Sequence, residues 1–168
     1  MIYYTDDELV IRDMEEADSQ ILYDEYIAQG WRKDVSQELT SLKDQAEGKC
    51  IALLAVYQGH PAGAVYVYMT VPNGPFQEDG YPSIAAFGVL KKYQKKGIGT
   101  RLLDVAEQIA GQYADKVCLS VGLRELNGGT HMVYQDRGYI WYHSSPCPEL
   151  YTECVTDDDL TFYMYKDL

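Results

Sequence analysis

A basic, glycine-containing segment stands out in an acidic chain. The formal net charge is −12, yet five of the fourteen basic residues cluster around QKKGIG, residues 94–99. These five are Lys91, Lys92, Lys95, Lys96 and Arg101. The first turn of a helix presents backbone N–H groups without intrahelical partners, and its dipole favours an anion. Because Gly97 and Gly99 let an anion approach the backbone closely, the segment predicts a phosphate or pyrophosphate site.

Two interpretations of this segment stay open from the residues alone. Lys95, Lys96 and the Thr100 hydroxyl would add donors to a phosphate site. A tight strand-to-helix turn with solvated lysines explains the same pattern. The segment is not a Walker A loop, because it lacks the spacing that ends in Gly-Lys-Ser/Thr. It is not a dinucleotide fingerprint either, because Leu102 stands where the third glycine belongs.

Apolar periodicity indicates the elements that hold this segment. Short runs rich in β-branched and aromatic residues predict strands, and apolar residues three or four apart predict helices. The predicted strands are residues 8–12, 50–57, 62–69, 84–90, 117–121, 139–143 and 160–166, and the predicted helices are residues 14–28, 35–46, 100–113 and 128–137. We expect one α/β domain over residues 1–168, with an α+β arrangement. An antiparallel meander and two strand–helix–strand crossovers form a mixed sheet with helices on both faces.

Composition and charge narrow the class of protein. The hydrophobic content of 46% and charged content of 24% are ordinary for a soluble globular protein. No apolar run is long enough to cross a membrane, and the N-terminus lacks a signal-peptide pattern, so we expect a cytoplasmic protein. The acidity argues against nucleic acid. It suits a cationic substrate, although solubility alone also explains it. Four cysteines lack metal-binding spacing, so we expect no metal.

Several separated motifs resemble one enzyme family. QKKGIG matches the Q/R-x-x-G-x-G/A signature of the GNAT superfamily of acyl-CoA-dependent N-acetyltransferases. The strand AAFGVL before it and the helix TRLLDVAEQIA after it resemble the same central motif. Asn127 stands seven residues before Tyr134, YQDRGY resembles Y-x-x-x-G-F/Y, and the closing FYMYKDL is similar to the family's last strand. The resemblance covers the whole chain, and residues 84–139 carry its most specific motifs.

The resemblance implies a particular sheet and co-substrate. It implies a GNAT-like, mostly antiparallel central sheet whose two parallel strands, 84–90 and 117–121, splay apart to hold acetyl-CoA. Backbone groups of the first strand would pair with the pantothenate arm, and the glycine turn would hold the pyrophosphate. The implied acetyl-CoA-binding residues are Phe87, Val89, Leu90, Gln94, Lys95, Lys96, Gly97, Ile98, Gly99, Thr100 and Asn127.

The implied reaction is direct attack of an amine on the thioester in a ternary complex, without a metal. A lysine-like amine has a pKa of about 10.4, so it must first lose a proton to a base. A backbone N–H between Phe87 and Val89 would stabilise the oxyanion. Tyr134 occupies the position of the family's general acid, which protonates the departing thiolate. Without its register to Asn127 and Gly138, Tyr134 would be interpreted as a core residue.

The chain departs from the family pattern at the general base. Ser83 stands where many members have a glutamate, and serine cannot remove the proton unaided. Glu78 and Asp79 are the nearest carboxylates in sequence, on a loop that could fold over the cleft, although solvated loop charges explain them as well. We place both in the substrate site with Trp31, which either stacks on a cation or anchors the first two helices.

Two classes of function follow from this resemblance. The first is an N-acetyltransferase acting on the primary amine of a small molecule or peptide. The alternative is a non-catalytic acyl-CoA-binding module, which Ser83 favours, or an interaction subunit of the same fold that forms a homodimer. The joint presence of five family residues argues against the interaction subunit, namely Gln94, Gly97, Gly99, Asn127 and Tyr134.

Overall fold

The computed structural model describes residues 1–31, 35–71, 74–122, 129–143 and 161–168. Within these ranges it contains eight strands, four α-helices and one 3-10 turn. The strands are β1 Ile2–Thr5, β2 Leu9–Asp13, β3 Cys50–Tyr57, β4 His60–Tyr68, β5 Ser83–Val89, β6 Lys116–Gly122, β7 Ile140–Trp141 and β8 Thr161–Asp167. The helices are α1 Glu16–Ala28, α2 Val35–Ala46, α3 Ile98–Ala110 and α4 Thr130–Asp136, and the 3-10 turn is Lys91–Tyr93.

All eight strands form one sheet in the order β1-β2-β3-β4-β5-β6-β8-β7. Every neighbouring pair is antiparallel except β5 and β6, which are parallel. The predicted mixed, mostly antiparallel sheet is therefore confirmed. The chain crosses over twice through a helix, but β8 inserts between β6 and β7, so only the first crossover joins neighbouring strands.

Two local predictions were wrong. Strand β1 was missed, because its four residues begin the chain and form a sheet edge, where Ile2 stays 63% exposed. The turn between β3 and β4 is also shorter than residues 58–61. Gln58 and Gly59 both have positive φ, 48° and 82°, which matches a two-residue hairpin turn. His60 and Pro61 consequently lie inside β4. Asp34, whose residue type favours the N-cap position before α2, lies outside the described residues.

Helices cover both faces of the sheet, as predicted. On one face, α3 and α4 bury Leu102, Leu103 and Tyr134 against the largest hydrophobic cluster. On the other face, α1 packs Leu22 and Tyr26 over strands β3 and β4 in a second cluster. The burial of these apolar side chains is the main favourable contribution to folding. It also fixes β5 between two helical layers.

The orientation of α1 differs from the apolar pattern. The pattern places Ile21 and Ile27 on the buried face, but their side chains are 48% and 46% exposed. The helix buries Leu22 and Tyr26, as the pattern predicts, together with Asp18. Arg12 of β2 donates two hydrogen bonds to the Asp18 carboxylate, at 2.7 and 3.0 Å. Because these hydrogen bonds satisfy the Asp18 carboxylate, Asp18 can be buried against the sheet, where an apolar residue would be expected.

No helix in the described ranges is long and apolar enough to span a membrane.

Candidate active site

The parallel strands β5 and β6 separate after a short paired segment. They pair only at Ser83 with Cys118 and at Ile84 with Leu119. Beyond these pairs β5 continues to Val89 and β6 continues to Gly122 without pairing to each other. Among the described residues, the two strands therefore diverge and leave a gap into which a ligand could add like a strand. The splay expected from the family resemblance is present.

A β-bulge lies on β5 beside this gap. The register to β4 shifts between Ala85 and Gly88, so that Ala86 and Phe87 lie opposite the single residue Val65. Ala86 has a φ of 51°, an uncommon conformation for a residue other than glycine. A bulge interrupts the ladder and redirects side chains. The sequence carried no signal for it, because neither Ala86 nor Phe87 is a residue typical of positive φ.

Gly63 of β4 lets the two strands pass closely at the bulge. A Cβ at Gly63 would lie 2.5 Å from the carbonyl oxygen of Gly88 and 3.1 Å from Cγ2 of Val89. Real Cβ atoms do not approach backbone oxygens so closely. The absence of a side chain at Gly63 is therefore a requirement for the bulged part of β5.

The basic segment forms the turn between β5 and α3. Gly97 is the N-cap of α3 with a φ of 80°, and Lys95 has a φ of 60°. The first intrahelical hydrogen bond runs from the N–H of Arg101 to the carbonyl of Gly97, at 3.0 Å. The amides of residues 98–100 precede it and can donate to an external anion. A Cβ on Gly97 would meet no atom of the described residues within 4 Å, so within this part of the chain the space beside the turn is open.

Gly99 is needed for a different reason from Gly97. A Cβ at Gly99 would lie 3.1 Å from Cζ of the Phe87 ring and 3.5 Å from Cγ2 of Val89. The second glycine thus makes room for a side chain of the bulge and not for the anion. The Thr100 side chain is exposed and the Ile98 side chain is fully buried.

Two lysines of the basic segment contact the end of α1 and so do not contribute to the predicted anion site. The Lys91 N–H donates to Oε1 of Gln29 at 2.9 Å, and its Nζ donates to the Gln29 carbonyl at 3.1 Å. Lys92 pairs with Glu25 at 2.8 Å. These contacts join the end of α1 to the 3-10 turn that follows β5.

The remaining predicted donors are differently placed. Gln94 donates from Nε2 to the Val89 carbonyl at 3.0 Å, and so braces the turn against the end of β5. Lys96 lies over the Tyr57 ring, 5.5 Å from its centre, and the exposed Lys95 stands at the open side of the turn. An exposed cation–π contact is worth only about 0.5–1 kcal/mol, so Lys96 can turn towards an anion, as can the exposed Lys95. Leu90 is buried, and its N–H already donates to Ala62 at 2.8 Å.

Tyr134 lies at the gap on the α4 side. Its side chain is 6% exposed. Its ring centre is 6.1 Å from that of Phe87 in the bulge and 5.7 Å from that of Tyr139. The structure therefore brings the predicted general acid next to the irregular part of β5. Asn127, which the sequence paired with Tyr134, lies outside the described residues.

Aromatic side chains cover the end of β5 on the α1 side. The rings of Tyr26 and Trp31 stack with centres 5.3 Å apart and an interplanar angle of 21°. Both lie over Gly88, where a Cβ would be 3.5 Å from each side chain. Trp31 was predicted in the substrate site, whereas no such prediction was made for Tyr26. Its partnership with Trp31 depends on the fold and has no local signal.

The loop before β5 is anchored by an aromatic cluster. Phe76 is 6% exposed and packs against Tyr81, Tyr142 and Tyr165 with ring centres 6.3, 5.0 and 5.7 Å away. Gly74 lies directly against the Tyr163 ring. The described part of this loop is thus packed on β8. Its carboxylates Glu78 and Asp79 are exposed.

Ser83 stands where many family members have a glutamate, and the residue opposite it on β6 carries a buried thiol. Ser83 pairs with Cys118 at the start of the gap. Burial, followed by the nearby charge of Asp79, raises the pKa of the Cys118 thiol to about 12. The thiol is therefore protonated at neutral pH and cannot replace a carboxylate base. His131 packs on Trp141, and His143 is exposed beside Tyr142.

The described residues contain no cluster of three or more His, Cys, Asp or Glu side chains that could hold a metal ion.

Comparison with known proteins identifies the family. Residues 9–139 match the acetyltransferase (GNAT) family model. Because this match covers most of the chain, the protein belongs to the GNAT acetyltransferase family. It is an acyltransferase of that family, whose members use acetyl-CoA as co-substrate.

Solved structures of acetyltransferases share the fold. An acetyltransferase of Salmonella typhimurium that modifies the N-terminal serine of ribosomal protein L7/L12 has a TM-score of 0.74 at 11% identity, over 100% of this chain and 99% of that chain. A ribosomal L7/L12 alpha-N-protein acetyltransferase gives 0.72 at 12% identity, over 100% and 94%. A GNAT acetyltransferase of Streptococcus pneumoniae gives 0.64 at 20% identity, over 96% and 100%. No curated protein shows significant sequence similarity to the chain.

Proposed function

We propose that this protein, as one domain of residues 1–168, transfers an acetyl group from acetyl-CoA to the primary amine of a small molecule. The observation that carries the proposal is the gap between β5 and β6. It is bordered by the bulge at Ala86, by Tyr134 and by the glycine turn that begins α3. The edge of β5 would suit the extended pantothenate arm, and the bulge with Tyr134 would suit the reacting thioester. The glycine turn would suit the pyrophosphate.

The residues present fit acetyl-CoA. The open approach at Gly97 leads to the amides of residues 98–100, and Lys95 and Lys96 can add positive charge. Backbone groups of β5 from Phe87 to Val89 would pair with the pantothenate arm. Gln94 would act indirectly, through its hydrogen bond to Val89, and Leu90 and Ile98 would support the turn by packing. Asn127 remains a prediction.

Two groups of the chain would serve the reaction. Acetyl-CoA supplies an acetyl group activated as a thioester. A backbone N–H of the bulge near Phe87 would donate to the carbonyl oxygen as negative charge develops on it. The Tyr134 hydroxyl would give a proton to the departing sulfur.

The acceptor amine would enter between the Tyr26–Trp31 stack and the loop anchored by Phe76. A primary ammonium is attracted to aromatic faces and to the exposed carboxylates Glu78 and Asp79. Ser83 does not supply a base, so one of these loop carboxylates would accept the proton that the ammonium loses, directly or through a water molecule. The net charge of −12 favours the approach of a cation.

A second candidate acceptor is the N-terminal amine of a protein. It is favoured by the two L7/L12 acetyltransferase structures, which match over the full length of this chain with TM-scores of 0.74 and 0.72. Turnover of a panel of small amines against peptides with free N-termini distinguishes the two. A higher kcat/KM for the peptides would show that the acceptor is a protein N-terminus and not a small molecule.

Calorimetric titration of acetyl-CoA tests the co-substrate site directly. Gly97→Glu should abolish binding, because a carboxylate would occupy the open approach to the amides. Gly48→Glu is the matched control. Gly48 also has a positive φ, 73°, and open space around its Cβ position, but it lies between α2 and β3. Equal binding by both variants would refute the site.

Two further outcomes address the alternatives. Acetyl-CoA binding without transfer to any amine would favour a non-catalytic acyl-CoA-binding module. A homodimer found by sedimentation, together with no acetyl-CoA binding, would favour an interaction subunit. The cytoplasmic location stays a prediction, for which fractionation of cells is the test.

A further inference from the structure

The helix that carries Tyr134 is short. α4 has seven residues, and isolated helices below roughly 12–15 residues are marginal in water. Its N-cap is Gly129, which provides no side-chain hydrogen bond to the first turn. The position of the Tyr134 hydroxyl therefore depends on the contacts that α4 makes with other elements.

One arginine joins the C-terminal end of α4 to α3. Arg137 is the C-cap of α4. It donates from Nε to Oε1 of Glu107 at 2.8 Å and from Nη2 to Oε2 of Glu107 at 2.9 Å. The same Nη2 donates to Asp104 at 2.8 Å. The Arg137 and Glu107 side chains are only 15% and 10% exposed. A bidentate pair of this kind fixes orientation as well as distance.

Glu107 is also held from the opposite side. Lys166 of β8 donates to its Oε2 at 2.7 Å and lies 5.7 Å from the centre of the Tyr139 ring. Burial acts to raise the pKa of Glu107, but the hydrogen bonds from Arg137 and Lys166 outweigh it and hold that pKa below its ordinary value. Tyr139 in turn packs edge-on against Tyr134. Glu107 is thus connected to Tyr134 in two ways. One runs through Arg137 and the backbone of α4, and the other runs through Lys166 and the ring of Tyr139.

We propose that Arg137 and Glu107 are positioning residues for acetyl transfer. Their ion pair fixes α4 on α3, and so holds the Tyr134 ring beside the Phe87 ring in the bulge of β5. The inference rests on the proposed role of Tyr134 as proton donor. Arg137 and Glu107 act only through Tyr134, and neither takes part in the chemistry itself.

Arg137→Gln is the cleanest way to remove the pair. Both carboxylates keep another cation, since Lys166 stays on Glu107 and Arg101 stays 3.4 Å from Asp104. The variant therefore leaves no buried carboxylate without a partner. Arg137→Lys keeps the charge but loses the planar fork, so we expect it to recover only part of the function.

A double-mutant cycle on kcat tests the coupling. Tyr134→Phe should lower kcat by about 100-fold. Arg137→Gln should lower kcat by about tenfold or more, because a displacement of about 1 Å can cost up to about 100-fold. The Kd for acetyl-CoA should not change. In the Tyr134→Phe background, Arg137→Gln should have no further effect. Equal losses in both backgrounds would overturn the positioning role.

Hydrogen exchange supplies a readout that is independent of turnover. Backbone amides of residues 130–137 should exchange faster in Arg137→Gln than in the unmodified protein. The matched control is Lys116→Gln, which removes an ion pair to Asp167 without contacting α4. It should change neither the exchange of α4 nor kcat. Unchanged exchange in Arg137→Gln would overturn the anchoring itself. Unchanged kcat in Tyr134→Phe alone would instead overturn the proton-donor role, and with it the catalytic meaning of the pair.

Discussion

Replacing Gly63 by alanine is expected to destabilise the protein through the bulge of β5. The new Cβ would lie 2.5 Å from the Gly88 carbonyl oxygen and 3.0 Å from the Val89 Cα. Both are backbone atoms, so no rotamer change can relieve the contact. Overpacking of a core typically costs about 1–3 kcal/mol, and a backbone clash belongs at the upper end of that range.

Thermal and urea denaturation followed by circular dichroism measure this cost. A loss of about 3 kcal/mol corresponds to a fall in Tm on the order of 6–12 °C for a domain of this size. Gly111→Ala is the control, because its φ of −64° suits alanine and its Cβ would lie 3.4 Å from the nearest atom. If Gly63→Ala cost less than about 1 kcal/mol, or no more than the control, the two strands would not be closely packed at the bulge.

Three further predictions concern single side chains. Cys50 and Cys118, whose burial raises their pKa to about 11 and about 12, should resist thiol reagents at pH 8 until the protein unfolds; rapid labelling of the native protein would contradict their burial. Because the pKa of Glu107 is lowered from 4.5, its ion pairing stabilises the protein above that pH and is lost as the pH falls through the folded pKa. The difference in Tm between the unmodified protein and Glu107→Gln should therefore shrink in acid, and a constant difference would contradict this. Trp31→Ala should raise KM for the amine and leave the Kd for acetyl-CoA unchanged, and equal loss of both would contradict the acceptor role of Trp31.

Much of the fold could be predicted from the sequence because its signals are local. The strand before residue 90, the left-handed glycine at 97 and the apolar stripe from Leu102 each depend on neighbouring residues. Their joint pattern was sufficient to predict the turn at the start of α3. The order of strands was not predictable in the same way. Nothing in the local pattern of residues 161–167 indicates that this strand inserts between β6 and β7.

The parts of the site that the sequence did not predict depend on long-range contacts. The bulge arises because Gly63 and Val65 of β4 meet β5, and Ala86 is not a residue that signals positive φ. Both glycines of the turn were predicted to admit an anion, but Gly99 instead makes room for the Phe87 ring. The pair of Arg137 and Glu107 joins residues thirty positions apart. Such contacts have no local pattern.

The position of β8 also constrains how the protein is made. Residues 161–167 hydrogen-bond along the whole of β6 and pair with β7 on the other side. A nascent chain that leaves the ribosome N-terminus first exposes an unpaired edge of β6 until this segment has been synthesised. Forming these contacts requires closing a long stretch of chain, which slows folding. The acidic charge of the chain then has a further benefit, because mutual repulsion between incomplete molecules opposes pairing of their open edges.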